Sequence, residues 1–102
     1  MIGVDITDLS RFTEEEGFLR HLLTEEERKE YEQRKTHSRK MEYLGGRFAT
    51  KEAIFKATGD PQFLSYSILN DAQGKPYIKD HPELSVSISH DGGFAVAVVM
   101  GV

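Results

Sequence analysis

Residues 39–58, RKMEYLGGRFATKEAIFKAT, followed by Gly59, Asp60 and Pro61, decide how this chain is read. Leu44, Phe48 and Phe55, with Met41 and Ala49 near the same stripe, recur at helical spacing and predict one long central helix. Gly59 stands where a left-handed C-cap belongs, and Pro61 blocks continuation. Gly45 and Gly46 lie inside the stretch, where each costs about 1 kcal/mol relative to alanine. Either the helix starts after them or a neighbouring element packs close at that point.

Downstream of Pro61 the hydrophobic period changes from helical to two. Residues 66–69 and 76–78 flank a turn containing Gly74, which reads as a hairpin. Leu84, Val86 and Ile88 then alternate with Ser85, Ser87 and Ser89. His90, Asp91, Gly92 and Gly93 form a turn, and residues 94–100 make a valine-rich last strand. Upstream, Ile2, Val4 and Ile6 alternate with Gly3 and Asp5, a short strand that points Asp5 away from its apolar face. Thr7 or Asp8 caps a short helical turn through Leu9, Arg11 and Phe12. Thr24 and Glu27 form a capping box before a very polar helix at about residues 25–34, expected on the surface. The order β-α-α-β-β-β-β predicts an α+β fold, one domain over residues 1–102 with an antiparallel sheet.

Composition agrees with that size. The 102 residues are 38% hydrophobic and 29% charged, enough apolar material for one modest core. No apolar run approaches the ~18–20 residues that span a bilayer, so no membrane partner is expected. The acidic start, MIGVDITD, lacks the basic and long apolar parts of a secretory leader. Cysteine is absent, which removes disulfides, thiolate metal sites and cysteine nucleophiles, and a cytoplasmic location is expected.

A net charge of −4 argues against general nucleic-acid binding. The charge is nevertheless segregated. Residues 28–56 hold nine Lys/Arg and four Glu, a balance of +5, against −9 for the remainder. Such a basic stretch suits phosphates or an acidic protein, although a solvated helix face of mixed charge has the same composition.

Glu52 lies four residues after Phe48 and four before Lys56, so the three share one helical face with Lys51 on its flank. An ordinary Glu–Lys pair explains this spacing. A magnesium ligand also does, because that hard cation takes oxygen donors. Asp5 favours the second reading, since a carboxylate on an apolar strand needs water, a cation or a donor. Together Asp5 and Glu52 can hold one Mg²⁺ against a pyrophosphate, with lysines neutralising the remaining charge. His90 closes a serine-rich strand, whereas His21, His37 and His81 read as surface residues. No P-loop, G-x-G-x-x-G or Gly-x-Ser-x-Gly pattern occurs.

Read together, GVDITDLSRF, GRFATKEAIFKATG, GKPYI and SVSISH before FAVAVV resemble the holo-acyl-carrier-protein synthase family of phosphopantetheinyl transferases. They occur in the family's order over nearly the whole chain. After Gly59 the chain departs from it, with DPQFLSYSIL where members commonly carry a glycine-rich stretch. The resemblance implies the 4′-phosphopantetheinyl transferase fold and Mg²⁺-dependent transfer of 4′-phosphopantetheine from coenzyme A to a serine of apo-acyl carrier protein. The products would be holo-acyl carrier protein and 3′,5′-ADP, in support of fatty acid biosynthesis. It puts the metal on Asp5 and Glu52, and the leaving phosphate on Lys56. Arg47, Lys51, Lys75 and His90 would lie near the nucleotide and its phosphates. Arg11 and Arg20 would meet the acidic carrier, and a homotrimer would place active sites between subunits. The competing reading is a non-catalytic α+β module binding phosphate or an acidic partner through residues 28–56.

Overall fold

A computed structural model describes all 102 residues, and in it the central helix, α3 (His37–Thr58), runs unbroken through both glycines. Thr36 caps its start by accepting from the Arg39 amide at 3.1 Å. Gly59 ends it at φ 83°, a conformation glycine adopts without the cost of a Cβ, and its amide donates to the Phe55 carbonyl at 2.7 Å. The close neighbour is the correct alternative for the glycine pair. A Cβ at Gly45 would overlap Leu9 and lie 3.3 Å from the Ala95 Cβ, and one at Gly46 would lie 3.2 Å from an Ile88 methyl.

The first strand, β1 (Ile2–Asp8), lies along α3 in the opposite direction: Gly3 sits against Ala53 and Ala57, and Leu9 against Gly45. At Gly3 even a methyl group would strike the Ala53 carbonyl. After β1 come a 3₁₀ turn at Leu9–Arg11, α1 (Glu16–Leu22) and α2 (Glu25–Glu32). The chain continues after α3 as β2 (Ile68–Asn70), β3 (Pro76–Ile78), β4 (Leu84–Asp91) and β5 (Phe94–Gly101). Strands β1, β5 and β4 form an antiparallel sheet in that order, while β2 and β3 form a separate antiparallel pair. The α+β fold, its antiparallel sheet and its central helix are as expected.

Register divides the sheet into two faces. The rows Gly3–Val99–Val86, Asp5–Ala97–Ile88 and Thr7–Ala95–His90 face α3. The rows Ile2–Met100–Ser85, Val4–Val98–Ser87 and Ile6–Val96–Ser89 face away, and Ile2, Val4, Ile6 and Met100 are all more than half exposed. Asp5 does oppose the apolar residues of β1, but it is the apolar side that is open.

Three expectations are corrected. The helix α1 was not anticipated; it is seven residues long and is started by the Glu15 carboxylate, which accepts from the Gly17 and Phe18 amides at 3.0 and 3.3 Å. The polar helix α2 is not superficial, because Glu27 and Tyr31 are buried. On α3 the buried residue near the C-terminus is Ile54, and Phe55 is 44% exposed. The core has two parts, one around Leu22, Tyr43 and Leu44 and one around Ile54, Ile68 and Val99.

Candidate functional site

Because β1 runs against α3, its helix-facing carboxylate meets the last two turns of the helix. Lys56 donates to Asp5 Oδ1 at 3.1 Å and to the Val4 carbonyl at 3.0 Å. Asp5 is largely covered and Lys56 is half exposed, so the pair opens to solvent on one side. Glu52, one turn earlier on the same helical face, is half-buried and belongs to none of the molecule's ion pairs. Asp5 and Lys56 thus meet directly, with Glu52 one helical turn earlier on α3. Only Oδ1 of Asp5 is committed, and there is no cluster of three or more acidic, His or Cys side chains able to hold a metal on its own. Two oxygen donors with open surroundings suit Mg²⁺, which keeps waters and takes further ligands from substrate phosphates.

A cleft of about 320 Å³ lies further along α3, between that helix, the β2–β3 pair and the end of β4. Arg34, Arg39, Arg47 and His90 line it with Glu42 and Asn70, making it rich in donors for a phosphorylated ligand. His90 Nδ1 stands 3.9 Å from Glu42. Arg47 is almost wholly buried: Nε donates to the Ile68 carbonyl at 2.9 Å, while Nη2 donates to Asn70 Oδ1 at 3.0 Å and Glu30 Oε1 at 3.3 Å. Its guanidinium also stacks 4.0 Å from the centre of the Tyr43 ring. Burial pushes the Tyr43 phenol well above its ordinary value, so it remains a donor, 2.8 Å from Glu30 Oε1.

Lys51 is corrected. It does not reach the cleft or the Asp5 region, because its side chain is fully buried and Nζ is held at 2.6 Å by both Glu27 and the Leu22 carbonyl. Burial pulls the Lys51 ammonium below its ordinary value and Glu27 opposes that shift. Lys75 is exposed between Gly74 and Pro76, two residues that line the cleft, but its own side lines a second groove along β3 and β4. Arg11 lies beside the Asp5 region, donating to Thr7 Oγ1 at 3.4 Å on the same face of β1, whereas Arg20 lies apart on α1. The Arg11 guanidinium stacks 4.7 Å from the Phe48 ring, and Arg20 is exposed in the last turn of α1. Arg34, Arg39, Glu42 and Asn70 were not singled out from sequence; the first two belong to the basic stretch, which was their only signal.

Residues 1–99 match a family model described as the 4′-phosphopantetheinyl transferase superfamily. A holo-[acyl-carrier-protein] synthase of Geobacillus sp. (strain WCH70) is 39% identical, over 97% of this chain and 92% of that protein. The fold is similar to a holo-(acyl-carrier-protein) synthase from Bacillus anthracis in complex with CoA (3′,5′-ADP), with a TM-score of 0.85 and 40% identity over 96% of this chain and 91% of that one. It is also similar to the Helicobacter pylori holo-[acyl-carrier-protein] synthase in complex with coenzyme A, with a TM-score of 0.83 and 31% identity over the whole of both chains.

Proposed function

This chain belongs to the 4′-phosphopantetheinyl transferase superfamily, and we propose how its residues divide the work of that chemistry. It moves 4′-phosphopantetheine from coenzyme A to a serine of apo-acyl carrier protein. The serine Oγ forms a bond to the pantetheine-side phosphorus, and the bridging P–O bond breaks. The 3′,5′-ADP departs with the bonding pair, and the serine proton leaves to Glu52 or to solvent.

The observation that carries this assignment is the Asp5–Lys56 pair, with Glu52 a turn away, toward the C-terminal end of a helix whose N-terminal half borders an arginine-lined cleft. Lys56 is half exposed on a flexible stem, so it can turn from Asp5 to the leaving phosphate and stabilise its charge. Asp5 and Glu52 would hold Mg²⁺. When bound, that ion neutralises pyrophosphate charge and supplies Lewis acidity. Arg47 and His90 border the nucleotide end, and Lys75 reaches phosphate from the hairpin turn. Phosphoryl-group transfer draws mainly on positioning and electrostatics, which this constellation of fixed and mobile cations provides.

Arg11 and Arg20 contact the acidic carrier, whose attraction to local arginines raises the rate of encounter more than the final affinity. The chain acts as a homotrimer in which a second copy covers the open apolar rows of the sheet, and its role is in fatty acid biosynthesis in the cytoplasm. A cleft of about 320 Å³ is small for coenzyme A, which supports completion of the site by a neighbouring copy. No helix is long and apolar enough to cross a membrane.

The direct test is intact-mass analysis of a fatty-acid apo-acyl carrier protein incubated with the protein, coenzyme A and Mg²⁺. A phosphopantetheine-sized gain, abolished by EDTA and by Glu52→Ala, is the expected result. Absence of any gain with a competent carrier, or full activity in Glu52→Ala, would overturn the residue assignment.

A further inference from the structure

The hairpin that walls the arginine-lined cleft has little of its own to hold it. Strands β2 and β3 are three residues each and pair only with one another, an arrangement that is marginal in water unless something packs against it. The outward edge of β2 carries two amides with no strand beside them, and two carboxylates of α2 take them. Ile68 N donates to Glu27 Oε2 at 2.9 Å, and Asn70 N donates to Glu30 Oε2 at 2.9 Å. Residues i and i+3 of the helix thereby match residues i and i+2 of the strand, so side chains replace a missing ladder.

The two carboxylates differ in what else they hold. Glu27 is wholly buried and spends Oε1 on Lys51 and the Thr24 amide, all inside the protein. Glu30 lies behind the residues that line the cleft, and its Oε1 accepts from two of them, Tyr43 and Arg47. Arg47 in turn grips the same strand through the Ile68 carbonyl and the Asn70 side chain. Glu30, Arg47 and Asn70 therefore close a ring joining α2, α3 and β2.

We propose that Glu30 is a positioning residue for nucleotide binding: through the Asn70 amide and the Arg47 guanidinium it fixes the hairpin wall at one distance from α3, and so sets the affinity for coenzyme A without touching the reacting atoms. This rests on the reading of the cleft as the nucleotide end of the site. A carboxylate beside an anion-binding cleft would, acting as a charge alone, weaken binding, and the two roles predict opposite signs for Glu30→Gln. The isosteric amide keeps one acceptor oxygen but loses the charge-assisted bonds.

Steady-state transfer is measured with coenzyme A and apo-acyl carrier protein varied separately, for Glu30→Gln and Glu30→Ala, beside Arg39→Ala as a reporter of the cleft itself. The expected result is a KM for coenzyme A raised about threefold in Glu30→Gln and roughly tenfold in Glu30→Ala, with kcat and the carrier KM within about twofold. Hydrogen exchange at the Asn70 amide should accelerate in parallel. If Glu30→Ala does not fold, Glu30→Gln alone decides the matter. An unchanged or lowered coenzyme A KM in Glu30→Gln, with Arg39→Ala raising it, overturns the positioning role and leaves the cleft assignment standing. An unchanged KM in Arg39→Ala overturns the cleft assignment and this proposal with it.

Discussion

Lys51 and Lys56 are five positions apart on α3, and at about 100° per residue that step turns one ammonium into the protein and the other toward the Asp5 carboxylate. Lys51→Ala leaves Glu27 as an uncompensated buried charge, which typically costs about 3–5 kcal/mol. Denaturant titration should show that loss, and a stability within 1 kcal/mol of the parent, roughly, would contradict it. Lys56 has half its side chain in water, so Lys56→Ala should unfold at nearly the parent's temperature. Its kcat should fall about 10²–10³-fold, the scale of removing one preorganised charge at the developing anion. The sequence places both lysines on neighbouring faces of one helix and has no means to rank them, because the partner that claims Lys51 is Glu27, in another helix 24 residues earlier. Asp5 was legible for the opposite reason: its position in a two-residue alternation is local, and it demands a polar partner wherever the strand packs.

Glycines set how closely the elements approach. Alanine is favoured over glycine by about 1 kcal/mol inside a helix, so propensity alone predicts that Gly45→Ala and Gly46→Ala both stabilise α3. Packing reverses that at Gly45, where the new methyl would overlap Leu9 and crowd Ala95, a backbone-anchored neighbour on β5. Overpacking of this kind costs about 1–3 kcal/mol. Gly46→Ala meets only the Ile88 side chain, which can yield by a few tenths of an ångström, so it should be close to neutral. Thermal unfolding of the two variants should therefore separate, with Gly45→Ala the lower, and equal midpoints would refute the packing argument. The paired glycines signalled a close approach from sequence without saying to what. The element that sequence missed altogether, α1, is short and takes its start from Glu15, which is a weaker capping signal than the Thr24–Glu27 box that announces α2. The buried half of α2 was hidden likewise, because its inward carboxylate, Glu27, is satisfied by the Ile68 amide of β2 and by Lys51 of α3, partners that no local pattern reveals.

At the level of the whole molecule, strands β1 and β5 turn mostly small or polar residues toward α3 and large aliphatic ones outward. Ala95, Ala97 and Val99 are fully buried beneath α3, while Ile2, Val4, Ile6 and Met100 stand in solvent on the opposite face with Val96 and Val98 between them. A chain that only needed to fold alone would gain little from that arrangement, since each large aliphatic side chain left exposed forgoes about 1.5–3 kcal/mol of burial. Contiguous apolar rows of this sort mark association surfaces, and the proposed trimer would close them by a cyclic arrangement with no open end. Sedimentation equilibrium should then give three times the chain's 11.6 kDa. The mass should persist as salt is raised, because the contact is apolar and unscreened. Val4→Glu lies mid-strand on the outward face of β1 and leaves that strand's helix-facing side chains untouched. It should lower the mass toward that of one chain and reduce transfer activity with it. A single-chain mass for the parent protein at micromolar concentration, with transfer intact, would show instead that one copy holds a complete site.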